Sequence, residues 1–280
     1  MKTSFRTTAI AVFALTLVQS APANLVQDGT FTSVTYSGAL PLTAPYFGQF
    51  GTGTGSTLAV ANWSTTGYNF VYSATNVDSG TGAGANAGQP NQAPGQYNTG
   101  AGYGSTYMWG SHNGGASTWT APPSGGNFIA ADGAFQQGAI TQTITGLTVG
   151  QTYVLKFYYG AAQQQGTYTT ATTEQWTVSM GTGNVAGNFK TTLINNPAES
   201  FSGWFQATMY FYANNTTETL SFLASGGPNG QPPFALLAGV DLEVVPEFSN
   251  WLVFGVFGLL CIGFEVVRRR RRRAELTPAA

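Results

Sequence analysis

The fold is indicated most clearly by residues 139–159, which read AITQTITGLTVGQTYVLKFYY. Large apolar side chains alternate with smaller or polar ones from Ala139 to Ile144 and again from Gln151 to Tyr159. Residues two apart lie on the same face of a strand, so each half predicts a half-buried β-strand. The glycines between the halves, Gly146 and Gly150, predict a turn.

The same period of two continues on both sides of this segment. Nine further stretches show it, and they are rich in Thr, Val, Tyr, Phe and Trp, as pleated surfaces require. They are Asn24–Phe31, Leu58–Trp63, Tyr68–Tyr72, Asn127–Ala131, Glu174–Met180, Phe189–Ile194, Trp204–Ala213, Thr219–Ala224 and Phe234–Val245. Eleven short strands without helical periodicity predict an all-β body over residues 24–245, a two-sheet β-sandwich of jelly-roll type.

One Gly-rich excursion, residues 79–118, interrupts the strands with 11 glycines in 40 residues. Loops of this length are commonly functional or disordered. Sugar rings stack on aromatic faces, so we expect any ligand-binding residues among Tyr103, Tyr107, Trp109 and Trp119. The alternative is that the two tryptophans anchor the loop by packing.

The charge distribution excludes one class of partner. Only 8% of the chain is charged, and residues 24–245 carry eight acidic residues against two lysines, Lys156 and Lys190, for a net charge of −6. A nucleic-acid-binding protein needs a basic surface that displaces counterions from phosphate. We therefore expect no nucleic-acid partner.

The residue inventory also limits catalysis. Cys261 and His112 are the only cysteine and histidine, so there is no intramolecular disulfide and no cluster of thiolates for zinc. A glycosidase needs two carboxylates across a cleft, and the candidates are Asp132, Glu174, Glu199 and Glu218. No pair of them shares a signature, so we predict a protein that is not an enzyme. A secreted glycan-active enzyme stays open as the alternative.

The first 23 residues predict a secretory signal helix. A basic start is followed by the apolar stretch Ala9–Val18, which is half the length of a membrane span. Ala21 and Ala23 then supply the small residues that signal peptidase reads. We expect cleavage after residue 23 and export of the remaining chain.

The C-terminal end, residues 246–280, contains a predicted single transmembrane helix over residues 249–267. The 17 residues from Trp251 to Val267, with Glu265 as their one charged residue, span about 25 Å as a helix, close to the thickness of a bilayer core. A basic cluster follows and is expected to hold this end in the cytoplasm. Its members are Arg268, Arg269, Arg270, Arg271, Arg272 and Arg273.

The joint before this helix reads Val245-Pro246-Glu247. Together with the span and the arginines, it resembles the sorting tail of the PEP-CTERM family, although Phe248 stands where a second proline is usual. The resemblance implies processing by an exosortase-like protease, a transient inner-membrane intermediate, and delivery to the cell surface or extracellular matrix of a Gram-negative bacterium. A plain single-span anchor is the alternative, because the physics of spanning is the same for both.

The body resembles the galactose-binding-like β-sandwich family, which includes many carbohydrate-binding modules. Three phrases carry the likeness: residues 24–31 as the opening strand, residues 128–153 as a central hairpin, and residues 237–244 as the closing strand. In related modules the positions around Asp28 and Asp241 are associated with a structural calcium. Thr32 replaces the usual Glu, and the alternative is that Asp28 caps its own turn while Asp241 is a solvated strand residue.

These observations predict an exported, non-catalytic protein of the cell surface or extracellular matrix. The resemblance implies that its body binds an extracellular polysaccharide. Apart from a structural calcium, no cofactor is expected.

Overall fold

The computed structural model describes residues 23–36, 47–51, 58–74, 77–78, 108–181, 189–246, 264–265 and 268. The chain divides into two compact units, Met1–Glu243 and Val244–Ala280. In the second unit Phe264, Glu265 and Arg268 are helical. Within the described part of the chain, no helix has the length and apolar character needed to cross a membrane. The predicted signal helix and nearly all of the predicted membrane span lie outside the described residues.

The first unit is built from β-strands, as the alternating patterns predict. Thirteen strands are described: β1 (Val34–Tyr36), β2 (Phe47–Gln49), β3 (Leu58–Val60), β4 (Asn69–Tyr72), β5 (Phe128–Asp132), β6 (Ile140–Thr145), β7 (Thr152–Gln163), β8 (Thr172–Met180), β9 (Phe189–Lys190), β10 (Ile194–Asn196), β11 (Phe201–Tyr212), β12 (Thr217–Gly227) and β13 (Pro233–Val244).

The strands form three sheets. Six strands pair in the order β11-β7-β13-β5-β4-β2, and four in the order β10-β8-β12-β6, with β9 also on β8. A small sheet joins β1 to β3. From β5 to β8, successive strands alternate between the two large sheets. This alternation is consistent with the predicted jelly-roll-type sandwich.

The two large sheets pack face to face through their alternating apolar positions. Trp176 of β8 donates its indole N–H to the carbonyl of Leu236 in β13 (2.9 Å), and Phe222 of β12 meets Phe157 of β7 with ring centroids 5.2 Å apart. All four residues are buried. Their side chains exclude water from the space between the sheets, and this burial is the main force that holds the sandwich together.

The six-stranded sheet also has an apolar cluster on its outer side. Phe128 and Phe234 lie there, covered by Met108 and Trp119 from the chain that follows residue 107. Met108 is fully buried and forms an isolated β-bridge with Gln164. The described end of the Gly-rich excursion therefore packs on the sandwich, while residues 79–107 lie outside the described residues.

Three sequence predictions need correction. Residues 24–31 do not form a strand, because Asp28 and Phe31 adopt positive φ values of 49° and 53° and the segment turns. It still meets the closing strand, with the amide of Val240 donating to the carbonyl of Gly29 (2.9 Å). The expected central hairpin is also wrong, because β6 and β7 belong to different sheets. The predicted strand Phe189–Ile194 is two strands, β9 and β10.

Candidate functional site

The edge strand β11 carries the densest group of exposed aromatic side chains in the described chain. Phe205, Tyr210 and Tyr212 are 45%, 57% and 49% exposed, and they are three of eight large hydrophobic residues with such exposure. Tyr210 and Tyr212 share one face of β11, and Phe205 lies on the other face. Isolated exposed hydrophobics are ordinary on a protein surface, whereas neighbouring ones on one face are a feature of interaction sites. Strand β11 is therefore the first place to look for a ligand.

A groove of about 410 Å3 runs along this strand, and we call it the edge groove. It lies beside β11, on the side of the sandwich where β9 and the chain after it form the edge of the other large sheet. The volume falls within the range of small-ligand sites. Its lining comprises Tyr159, Phe189, Lys190, Thr191, Thr192, Gln206, Ala207, Thr208, Met209 and Tyr210.

The walls of the edge groove are fixed by packing. Tyr159 lies against Phe205 with centroids 5.6 Å apart, and Phe189 meets Phe211 edge-on at 5.0 Å, which links the two sheets. Thr191 is tied to β8 in both directions, since its amide donates to Trp176 O (2.9 Å) and its hydroxyl accepts from Trp176 N (3.0 Å). Ring packing and hydrogen bonds thus hold residues on both sides of the groove.

The chemistry of the groove is neutral and rich in hydrogen-bonding groups. Gln206, Thr192 and Thr208 are exposed in it. Lys190 is the only charged side chain in the lining, and no carboxylate is present there. Amide and hydroxyl groups can both donate and accept, so they match a ligand rich in hydroxyls. Tyr210 adds an aromatic ring with more than half of its surface open.

The tryptophans predicted as ligand residues occupy structural positions. Trp109 is 8% exposed, and its indole N–H donates to Tyr168 O (3.1 Å). Trp119 stacks on Phe201 at 4.1 Å and donates to Trp109 O (2.9 Å). These contacts favour the loop-anchor alternative. Tyr103 and Tyr107 lie outside the described residues.

His112 pairs with a buried carboxylate next to these tryptophans. Its Nδ1 lies 3.0 Å from Asp78 Oδ2, and its backbone amide donates to the same oxygen (3.2 Å). The imidazole side chain is 69% exposed, whereas the Asp78 side chain is 4% exposed. A carboxylate that holds both the ring and the backbone of one residue fixes the loop in place.

Three of the four candidate catalytic carboxylates, those of Asp132, Glu174 and Glu218, are buried, and Glu199 is partly buried. Asp132 and Glu174 lie within electrostatic range of each other but are only 3% and 1% exposed. Burial raises the pKa of both carboxyl groups. The pKa of Glu174 rises to about 8, because the nearby Thr172 hydroxyl offsets only part of the effect of burial and the charge of Asp132 adds to it. Glu218 caps a turn by accepting from the amides of residues 214 and 215. Glu199, at φ 56°, donates its amide to Gln163.

The two residues associated with a calcium site do line one cavity. Asp28 and Asp241 both face a space of about 360 Å3 beside Gly29 and Ser124. Both oxygens of Asp28 are already engaged, however: Oδ1 accepts from the amide (2.9 Å) and hydroxyl of Thr32, and Oδ2 from Ser33 N (3.0 Å). Calcium takes six to eight oxygens. Asp28 thus caps its own turn, and the residues as arranged do not fit a calcium ion.

Asp241 is partly buried on the closing strand. Its pKa is raised, first by burial and then by the charge of Glu243, while Lys156 opposes the shift. Lys156 is bound to Glu243 (3.2 Å). Asp241 is therefore more enclosed than the solvated residue that the sequence alternative described.

The targeting residues are only partly within the described chain. Ala23, at the start of the described chain, and Val245 and Pro246, which follow β13, have no regular secondary structure. Ala21, Glu247 and Arg269–Arg273 lie outside the described residues, so the predictions for cleavage and sorting remain predictions.

Sequence reasoning placed Tyr210 in a strand but did not select it as a ligand residue. Alternation shows that Tyr210 and Tyr212 share a face, opposite to Met209 and Phe211. It does not show that β11 is an edge strand or that a groove opens beside Tyr210. Those facts depend on strand pairings distant in sequence.

Comparisons with known proteins find similarity in structure alone. No protein-family profile and no curated protein matches the sequence. The chain is similar to the Stig cyclase Fisc from Fischerella sp. TAU over 81% of its own length and 99% of the cyclase, at 12% identity and a TM-score of 0.45. It is similar to TmCBM61, solved in complex with β-1,4-galactotriose, over 67% of this chain and 90% of that one, at 12% identity and a TM-score of 0.33.

A third similarity is to the N-terminal cellulose-binding domain of β-1,4-glucanase C from Cellulomonas fimi. It covers 44% of this chain and 80% of that domain, at 17% identity and a TM-score of 0.27. The structural neighbours thus include β-sandwich domains of the carbohydrate-binding-module type. Since each of these TM-scores is below 0.5, the sandwich assignment rests on the strand pairing of this chain.

Proposed function

We propose that this protein is an exported glycan-binding protein and that a polysaccharide segment binds in the edge groove. The observation that carries the proposal is the lining of the groove, which includes the exposed aromatic residue Tyr210 together with Gln206 and Thr208 from the same face of β11. This combination suits a ligand that is apolar on its ring faces and polar at its rim.

The chemistry of a sugar ring explains the fit. One face of a pyranose presents C–H groups with a slight positive charge, and these are attracted to the negative face of an aromatic ring. The hydroxyls at the rim exchange hydrogen bonds with water for bonds with side chains, at a net gain of about 1 kcal/mol each. The lining contains no carboxylate that would attract a cation and only one lysine, so a neutral polysaccharide is the expected partner.

The test is a binding panel of soluble polysaccharides with the full-length chain, using Tyr210→Ala and, as a matched control, Tyr212→Ala. Tyr212 is the same residue type on the same face of β11, but it does not line the groove. We expect Tyr210→Ala to weaken binding by about tenfold, which is 1.4 kcal/mol, and Tyr212→Ala to leave it nearly unchanged. Equal losses of affinity would indicate that the polysaccharide binds on the open face of the sheet that Tyr210 and Tyr212 share. Binding unaffected by either change would show that the edge groove is not the binding site.

The proposal also covers the route of export. The signal helix would deliver the body across the inner membrane, and the PEP-CTERM-like tail would hold it there until an exosortase-like protease acts at Val245-Pro246-Glu247. Replacing Pro246 and Glu247 should trap the full-length chain in the membrane, whereas replacing Arg268–Arg273 by Ser should weaken its retention. Fractionation with mass spectrometry distinguishes the two. If both variants behave alike, or if the change at Pro246 and Glu247 leaves processing untouched, the tail is a plain anchor.

The proposed activity is binding without turnover. Its test is the incubation of the purified chain with each polysaccharide that binds, followed by measurement of new reducing ends. Release of products that disappears in Asp132→Asn or Glu199→Gln would favour the alternative of a glycan-active enzyme.

A further inference from the structure

Four side-chain oxygen atoms that lack a hydrogen-bond partner lie close together in the interior. In the described part of the chain, five buried side-chain oxygens have no partner at normal hydrogen-bond geometry, and four of them belong to Thr172, Glu174 and Asn196. We call these three residues the buried oxygen cluster. The Thr172 hydroxyl is near enough to Glu174 to affect the pKa of its carboxyl group, but it does not reach hydrogen-bond geometry. Buried polar groups in folded proteins nearly always have partners. Four unpartnered atoms in one cluster therefore indicate that something else satisfies them.

Strand pairing brings the three residues together. Asn196 of β10 lies directly opposite Thr172 of β8, and Glu174 follows two positions later. Residues two apart share a face of a strand, so Thr172 and Glu174 point to the same side, and both are buried there. The Asn196 amide nitrogen donates to Ser200 O (2.9 Å), which commits its N–H side and leaves Oδ1 for another partner.

No basic residue of the body reaches this cluster. Lys156 is paired with Glu243 on the other large sheet. Lys190 pairs with Thr177 of β8. Thr177 is three positions from Glu174, so Thr177 and Lys190 lie on the face of the sheet opposite to Glu174. The charge that acts on Glu174 is that of Asp132, a second carboxylate. The cluster thus has an excess of oxygen acceptors and no positive partner among the basic residues of the body.

We propose that the buried oxygen cluster binds a calcium ion, with both carboxylate oxygens of Glu174, Oδ1 of Asn196 and Oγ1 of Thr172 as ligands. All four donors are hard oxygens, which calcium prefers, and bidentate carboxylates are common among its ligands. Backbone carbonyls or water supply the remaining positions of its six to eight. Magnesium fits less well, because it dehydrates reluctantly and usually keeps several waters. This ion would tie β10 to β8, and the proposal is independent of glycan binding.

The competing arrangement is a protonated Glu174 that donates to Asn196 Oδ1. It would satisfy two of the four atoms without a metal. The two arrangements differ in what Glu174→Gln does, since glutamine can replace a neutral carboxyl group but cannot provide the bidentate anionic ligand.

The experiment uses the purified full-length chain, with radioactive calcium in equilibrium dialysis and thermal unfolding in calcium or in chelator. The variants are Glu174→Gln and two controls, Glu218→Gln, a buried glutamate elsewhere in the same sheet, and Asp28→Asn. We expect one calcium per chain with a Kd no weaker than about 10⁻³ M, as in extracellular calcium sites. Glu174→Gln should weaken it by at least about tenfold and remove the rise in Tm, while both controls keep it.

Several results would overturn the proposal. They are calcium binding by Glu174→Gln equal to that of the parent, the absence of binding by the parent at millimolar calcium, and loss of the ion in Asp28→Asn alone. If the Glu174→Gln variant does not fold, a second measurement tests the site in chains that keep Glu174. Trp176 lies two positions from Glu174 on the same face, so it should sensitise terbium luminescence at this site. Trp176→Phe should lower that emission while calcium still displaces terbium, and unchanged emission contradicts the assignment.

Discussion

Tyr68 illustrates how burial at one residue sets a pH limit on the fold. Burial, the charge of Asp132 and nearby Tyr168 raise the pKa of Tyr68 to about 12. The folded chain therefore keeps this phenol neutral where the unfolded chain ionises it, at about pH 10. The stability that this preference supplies is complete below pH 10 and is lost as the pH rises toward 12.

We predict that Tyr68→Phe leaves stability at pH 7 nearly unchanged and flattens the alkaline decline. The ring contacts to Phe70 (4.6 Å) and Phe135 (5.4 Å) remain in the variant. Between pH 10 and 12 the parent should lose about 1–2 kcal/mol more than the variant, after allowance for partial exposure. Urea unfolding at several pH values measures this difference in the free energy of unfolding. Parallel pH profiles would contradict the assignment.

Trp119 provides the residue-scale test of the loop-anchor interpretation. Replacing it with Ala removes the stacking on Phe201 and the hydrogen bond to Trp109 O. Because the indole is only partly buried, we expect a loss of about 2–3 kcal/mol in the free energy of unfolding, below the cost for a fully buried Trp. The exposed Val149→Ala is the control and should stay within about 0.5 kcal/mol. A change in glycan affinity without a loss of stability would restore Trp119 as a ligand residue.

At the scale of elements, the turn of residues 24–31 depends on close contact with β13. A Cβ added to Gly29 would lie 1.9 Å from the carbonyl oxygen of Val240, so the two backbones meet without room for a side chain. Gly146, by contrast, has φ +79° and open space around its Cβ position. One position therefore tests a steric clash, and the other tests backbone strain alone.

We predict that Gly29→Ala destabilises the chain by more than about 3 kcal/mol, because the backbone must move and the Val240–Gly29 hydrogen bond is lost. Gly146→Ala should cost about 1 kcal/mol, the lower end of the cost of a left-handed conformation for a residue with a side chain. Chemical denaturation of both variants gives the comparison. Equal costs would show that residues 24–31 are not held against β13 in solution.

The strands show which structural features the sequence could predict. Strands β7, β8, β11 and β13 could be predicted because each has nine residues or more, which is long enough for a strand pattern to be visible. Strands β1 and β2 have three residues each, which is too short for a period to be visible, and their existence depends on pairing with β3 and β4. Residues 24–31 had strand composition, but Asp28 uses its carboxylate to accept from residues 32 and 33, and such local bonds compete with sheet pairing.

The candidate site was less predictable than the fold for a related reason. Trp109 and Trp119 looked available because a Gly-rich excursion surrounds them in sequence. Their partners, Tyr168 and Phe201, are 59 and 82 positions away. The edge groove combines residues of β7, β9 and β11, and nothing local reveals which strand ends a sheet. Alternation identifies faces, whereas a site at an edge depends on topology.

At the scale of the whole molecule, the low charge predicts how binding responds to salt. The body has a net charge of −6, and the edge groove contains one lysine and no carboxylate. A neutral polysaccharide held by stacking and hydrogen bonds should keep its affinity within about twofold between 50 and 500 mM salt, since only charge interactions are screened. An affinity that falls steeply with salt would indicate that Lys190 binds an acidic polysaccharide instead.

The central claim is that a polysaccharide occupies the edge groove, and hydrogen–deuterium exchange on the full-length chain tests it most directly. As an edge strand, β11 has amides without a sheet partner on its outer side, so a bound polysaccharide can slow their exchange. We predict protection by a polysaccharide ligand in residues 190–192 and 206–210. Protection confined to residues 108–120, or to the chain beside Asp28 and Asp241, would contradict this account.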